Sequence, residues 1–363
     1  MSQRRLSLHA RAAMVVATVA AATLGTLVVP AQAETVTAIE NDLNGDGEAD
    51  LVVVGNQGSL APGLWLAAGT AGGGLAGTPS NIGAAGVTGV GGSNPSPEGY
   101  NGLQVVVGHF RSGSGPNDVL LYNPAYGVGK LLFGTGDGSP LNELVGKGVV
   151  SGTFTSRTTH ANATSIANAG QLYTTAAQGE PNPFPALLSV LDGALWLQPT
   201  SAQSGGFFPA EVVLADTNPT GAGNWNGWSI TTALVDNMPA LFARSEAGGQ
   251  LYYYSPAALL SLTLGTPAAP VLVAAQGWDA AAKPVVQAAD VDHDGIVDLR
   301  AVDPSGNAAT YRFDGATLTA LGSHNLLTGV DTAPGGTTTA PERHPHKPEP
   351  YKPEPHKPES HGH

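Results

Sequence analysis

Two nonapeptides concentrate oxygen ligands: DLNGDGEAD, from Asp42 to Asp50, and DVDHDGIVD, from Asp290 to Asp298. Both follow the pattern D-x-[DN]-x-D-G-x-x-D, which sets side-chain oxygens at positions 1, 3, 5 and 9 and a backbone carbonyl at position 7. Asp42, Asn44, Asp46, Asp50 and the Glu48 carbonyl would surround one cation, and Asp290, Asp292, Asp294, Asp298 and the Ile296 carbonyl a second. Hard oxygen donors in that number select Ca²⁺ over transition metals. Gly47 and Gly295 stand at position 6, where the chain must turn sharply to wrap an ion. Asp, Asn and Gly also build plain turns. Three or four carboxylates within nine residues, however, repel one another unless a cation neutralises them, and the spacing occurs twice. Two structural Ca²⁺ sites are therefore expected. An EF-hand is excluded, because its position 12 falls on Val53 and Ala301, inside apolar runs of β character.

Loops of this kind need strands to fix their ends, and the sequence supplies them in a repeat. Apolar runs start at Leu51, Val119, Leu187, Leu241 and Leu299, about 62 residues apart on average. Each is followed, after a Gly/Asn/Asp/Ser-rich turn, by a further run: LWLAAG at Leu64, LLFGTG at Leu131, LWLQPT at Leu195, LYYYSP at Leu251 and TYRFDG at Thr310. Such pairs read as β-hairpins. Upstream first strands are expected at Val36, Val105, Val149, Ile230 and Val285, and fourth strands at Gly86, Leu141, Ala210, Pro270 and Leu318. A lone four-stranded blade cannot bury both of its faces, whereas five around an axis bury each against a neighbour. The expected fold is all-β, a β-propeller of about five four-stranded antiparallel blades spanning 34–330. A two-sheet sandwich gives no reason for hairpin and loop to recur five times. Neither GH…WD nor paired-glycine kelch signatures occur.

The middle copies have lost the acidic pattern. His109 to Asp118 keeps only the last Asp, the third unit carries a long polar insertion after Phe154, and the fourth keeps only Asp236. These loops are expected to be ion-free.

The two acidic loops, set between β runs in a five-fold repeat, resemble the FG-GAP/VCBS repeat, the blade unit of the integrin alpha-subunit propeller and of many secreted bacterial proteins. The resemblance covers about 36 to 327 and is strongest in units one and five, with Phe207-Phe208-Pro209 a faint remnant of the FG and GAP signatures. It implies that the acidic loops join the first two strands of a blade on one face and stabilise it, while ligands meet the opposite face. On that analogy the partner-facing loops include Asn123 to Lys130 and Gly221 to Trp228, where Trp225 and Trp228 offer a sugar-stacking surface or, more simply, core.

Of 363 residues, 15 are Lys or Arg against 28 Asp or Glu, none is Cys, and the formal net charge is −13. An acidic chain of this kind is a poor match for nucleic acid, and disulfides and cysteine metal sites are excluded. Residues 1–33 have a basic start, an apolar stretch and Ala31-Gln32-Ala33, the pattern of a cleaved export signal, through the Sec or the twin-arginine route. The apolar run is short for a membrane span. Residues 331–363 are rich in Pro, His, Lys and Glu, with KPE recurring at Lys347, Lys352 and Lys357, and read as a disordered, extended spacer whose histidines bind transition metals only weakly. No G-x-S-x-G, H-E-x-x-H or phosphate-loop motif is present, and His109, His160, His293 and His324 fall in different units. The expectation is a secreted, monomeric, calcium-binding module for an extracellular glycan or protein. The alternatives are a polysaccharide lyase or hydrolase with its site at the channel mouth, and an envelope-associated structural protein.

Overall fold

The computed structural model describes residues 39–332, except for 57–58, 85, 89, 91–92, 95, 111–114, 140, 142–148, 152–153, 173–184 and 200–211. The expected leader, nearly all of the tail and Phe207-Phe208-Pro209 lie outside the described residues. The chain forms five successive antiparallel sheets arranged as the blades of a propeller. Blade one contains β1 (Leu51–Val54), β2 (Leu64–Gly69) and β3 (Leu75–Asn81), and a short ribbon of β4 (Val87–Thr88) and β5 (Ser93–Asn94) leads onward. Blade two is β6 (Gln104–Gly108), β7 (Asp118–Asn123), β8 (Val128–Leu132) and β9 (Val149–Ser151). Blade three is β10 (Ser165–Gly170), β11 (Ala186–Leu191), β12 (Ala194–Gln198) and β13 (Val212–Ala215). Blade four is β14 (Trp228–Val235), β15 (Met238–Ser245), β16 (Leu251–Tyr254) and, after helix α1 (Pro256–Thr263), β17 (Val271–Ala274). Blade five is β18 (Val285–Ala289), β19 (Asp298–Val302), β20 (Asn307–Phe313), β21 (Leu318–Asn325) and β22 (Val330–Thr332).

The unbroken apolar runs have a direct cause. Side chains alternate across a strand, and in a propeller both faces of a blade are buried. Val107, Val119 and Leu121 pack towards blade one, while their neighbours Val106, Leu120 and Tyr122 pack towards blade three. Further clusters fill the seams between blades three and four, around Trp225 and Leu241, and between four and five, around Phe242 and Phe313. The last cluster joins five to one: Leu51, Val53 and Leu75 meet Val302, Ala308 and Leu326. Among the described residues each seam therefore has its own core, and a small further cluster of Ala49, Ala289 and Val291 also joins five to one.

Several strand positions differ from the expectation. The outer strand of blade one is β3, not the run at Gly86, which instead supplies β4. The run at Val149 closes blade two as its fourth strand and so does not open blade three, while most of the Leu141 run lies outside the described residues. That role belongs to β10, within what the sequence presents as a polar insertion: SIANAG has little hydrophobic signal, yet all six of its residues are buried. Helix α1 was not anticipated; Ser255 caps it by accepting from Ala258 N at 3.2 Å, and Pro256 starts it. Strand β22 carries the sheet to Thr332, into the segment that composition assigned to the tail. Trp225 and Trp228 lie in the core with ring centroids 6.2 Å apart, so they are not an exposed sugar platform. Among the described residues no helix is long and apolar enough to cross a membrane.

Candidate functional site

The two acidic loops lead into β1, the first strand of blade one among the described residues, and β19, the second strand of blade five, and lie on one face at the seam that closes the ring. In the first loop Asp42 accepts from Gly45 N at 2.7 Å and from Gly47 N at 3.0 Å. Asn44 accepts from Asp46 N at 2.8 Å, and Asp46 from Glu48 N at 2.9 Å. The Asn44 amide also donates to Asp46 at 2.9 Å and to Asp50 at 3.3 Å. Only glycine fits at position 45: its φ is +75°, and a Cβ there would stand 2.4 Å from the Gly136 carbonyl. Gly136 belongs to the glycine cluster Gly134–Gly138, whose Gly138 N donates to Leu43 O at 3.0 Å and so braces the loop.

The fifth-blade loop repeats this frame. Asp290 accepts from Gly295 N at 3.1 Å, Asp292 from Asp294 N at 3.3 Å and Asp294 from Ile296 N at 2.8 Å. One oxygen from each of Asp290, Asp292 and Asp294 lies within 4.8 Å of the others, a separation at which a single cation can reach all three. Asp290 Oδ1 is buried with no hydrogen-bond partner among the described residues. Burial, and then the charges of Asp294 and Asp292, raise the Asp290 carboxyl above its usual range against the pull of the Gly295 N–H.

Asp50 and Asp298, at position 9, are fully buried and link each loop to the next strand but one. Asp50 accepts from Leu43 N at 2.9 Å, Asn44 N at 3.2 Å and Gly69 N at 2.9 Å; Asp298 accepts from Val291 N at 3.3 Å and Phe313 N at 2.8 Å. Burial pushes these carboxyls up to about 6 and about 7. Thus the structure gathers Asp290, Asp292 and Asp294 into one triad, links Asp42, Asn44, Asp46 and Asp50 through the Asn44 amide and backbone N–H groups, and sets Glu48 and Ile296 in the turns between.

Sequence reasoning missed the residues that join the two loops. His293 Nε2 meets Glu48 Oε2 at 3.0 Å. Arg300, 1% exposed on β19, donates across the seam to the carbonyls of Ala49, Gly73 and Gly74 and feels the charges of Asp50 and Asp298. Its one legible signal was a charge inside the apolar run LRAV.

A second feature is the central channel, a cavity of about 320 Å³ lined by β6, β10, β14 and β18 and by β1 of blade one. Side chains bind neighbouring blades across it. Gln104 holds Ile166 N (3.1 Å) and Thr164 O (2.6 Å), Ser165 holds Ile230 N (3.0 Å), and Thr231 holds Ala288 N (3.0 Å). Gln287 accepts from Val52 N at 3.1 Å and donates to Asp50 O at 3.0 Å, satisfying the inner edge of β1. At the acidic-loop end the segment preceding Asp42 spans the opening. Glu40 accepts from Asn168 (2.8 Å) and Leu234 N, and Asn41 donates to Ala288 O (3.2 Å). Burial raises the Glu40 carboxyl to about 7. The opposite end carries Ser229, Arg244 and Glu246.

No family model matches the chain, and no curated protein matches it in sequence. Solved structures with a similar course include a lectin from Agrocybe aegerita described as recognising non-reducing terminal N-acetylglucosamine, with TM-score 0.35 and 12% identity over 78% of this chain. AofleA from Arthrobotrys oligospora gives TM-score 0.36 and 14% identity over 74% of this chain and 66% of its own. A mutant form of AofleA gives 0.35 and 13% over 77% and 72%. The chain spans 65% of the Agrocybe lectin, under two thirds of its length. Superpositions this loose identify neither a ligand nor a shared site.

Proposed function

We propose that this chain is a secreted propeller of the FG-GAP/VCBS kind, stabilised by Ca²⁺ in its two acidic loops and serving as a binding module for an extracellular glycan or protein. The observation that carries the reading is the Asp290, Asp292 and Asp294 triad, with oxygens within 4.8 Å of one another and a buried Asp290 oxygen that has no hydrogen-bond partner among the described residues. A divalent ion there would neutralise three carboxylates and tie the loop to blade five. The first loop shares the spacing and the turn hydrogen bonds, with Asn44 in place of the second Asp. Export rests on the pattern of residues 1–33, and binding on a ring whose inner surface is pinned rigidly from blade to blade.

Thermal melting in Ca²⁺ and in chelator tests it. An ion held only by the native state adds RT ln(1 + [L]/Kd), about 2.7 kcal/mol per site at a hundredfold excess over Kd. Chelation should lower Tm, and Asp290→Asn should remove the share of the fifth-blade site. Identical melting curves with Ca²⁺ and chelator would overturn the calcium reading. A glycan array probed in Ca²⁺ and in chelator tests the partner class.

A further inference from the structure

The channel is closed at one end and carries an arginine with free hydrogen-bond donors at the other. Arg244, 9% exposed on β15, uses Nε to hold Ser229 Oγ at 2.7 Å and Nη1 to hold Lys283 O. Its Nη2 and the second Nη1 proton have no protein acceptor among the described residues, while the charges of Glu246 and Asp279 act on the guanidinium without an ion-pair contact. The guanidinium is mostly withdrawn from water, but its free donors are not among the buried atoms that lack a partner, so they stay open to solvent and can be taken over by a ligand. Most of the channel's other polar side chains are already committed to neighbouring blades: Gln104, Ser165, Thr231 and Gln287 all spend their hydrogen bonds on neighbouring strands. Glu246, two residues on from Arg244, is exposed at the same mouth and its carboxylate likewise has no hydrogen-bond partner among the described residues.

We infer that the channel mouth away from the acidic loops binds a sugar bearing a carboxylate, which Arg244 receives with its free Nη donors while Glu246 accepts from neighbouring hydroxyls. Several features of the site match this chemistry. The fixed fork of Arg suits a carboxylate with two parallel bonds. Nε and Nη1 are already held by Ser229 and Lys283, so little side-chain entropy is lost on binding. A cavity of about 320 Å³ lies at the small end of ligand sites and takes a single ring instead of a folded polypeptide. Glu246 requires donors close to the anion; a pyranose ring provides several hydroxyls on adjacent carbons, where a peptide C-terminus offers a single amide N–H.

The inference deepens the binding-module reading and rests on it. Its test is calorimetric titration of the Ca²⁺-loaded full chain with a hexuronic acid disaccharide, the neutral disaccharide of the same linkage, and an N-acetylated tripeptide with a free C-terminus. The uronate should bind, at least tenfold tighter than the neutral sugar and the tripeptide. Glu246→Gln should weaken it several-fold, and Arg244→Lys should weaken it tenfold or more; Arg244→Lys loses the fork but keeps the charge. Unchanged melting of Glu246→Gln would establish that the effect is local. Equal binding of neutral and acidic sugar, or uronate affinity indifferent to both substitutions, overturns the inference but leaves a glycan-binding module standing. Preference for the tripeptide overturns it in favour of a protein terminus. Binding of none of the three at millimolar concentration overturns it outright, and the glycan array then decides the wider reading on its own.

Discussion

Replacing Arg300 with Met should open the seam between blades five and one. The methionine side chain fills much of the same space but returns three carbonyls, those of Ala49, Gly73 and Gly74, to a buried site without a donor. Charge-assisted hydrogen bonds of this kind contribute roughly 1.5–3 kcal/mol each, so their loss costs about 5–9 kcal/mol. Against that stands the burial of the guanidinium, which lowers its proton affinity to about 10 and whose relief returns roughly 3 kcal/mol. Arg300 Nε is also buried without a partner among the described residues, so the native arrangement is not fully satisfied by them to begin with. The net loss is about 2–6 kcal/mol. Urea unfolding in chelator, followed by tryptophan fluorescence, measures it, and hydrogen exchange should accelerate first at Leu75 and Val53, which line this seam. A variant as stable as the parent to within about 1 kcal/mol, with unchanged exchange at those residues, would refute the claim that Arg300 holds the ring closed.

Two further outcomes follow from the channel. Glu40 has its carboxyl raised from 4.5 to about 7 by burial, so the folded chain holds a proton that the unfolded chain gives up; the stability this contributes is full below pH 4.5 and is lost as pH rises to about 7. The slope corresponds to up to roughly 3 kcal/mol, and Glu40→Gln should flatten it in urea titrations done across that range in chelator; an unchanged slope would assign the proton uptake elsewhere. Gln287→Ala strands Val52 N and Asp50 O, which should cost about 1–3 kcal/mol and speed amide exchange at Val52; protection unchanged at that amide would show that β1 does not need the glutamine.

Much of the fold was legible because a propeller places the same demand on every blade. Each second strand is buried on both faces, so Leu51, Val119, Leu187, Leu241 and Leu299 open apolar runs that repeat, and the turns between strands need the Gly, Asn and Asp that mark them. The two acidic nonapeptides stand out in the sequence for a related reason: a nine-residue pattern is local and is fixed by spacing alone. Blade three was misread because β10 gains its burial from its neighbours. Ser165 and Asn168 are polar side chains accommodated by hydrogen bonds to Ile230 and Glu40, partners 65 and 128 residues away.

From its own composition and periodicity the chain determines an all-β ring of five sheets and the clustering of oxygen-bearing side chains in two loops, because these depend on residues within one strand or one turn. Tertiary structure alone decided that the loops lie side by side at the closing seam with Arg300 beneath them, that the segment at Glu40 spans one end of the channel, and that Arg244 retains free donors at the other. Those are relations between residues far apart in sequence, set by how five blades pack around one axis, and no local pattern encodes them.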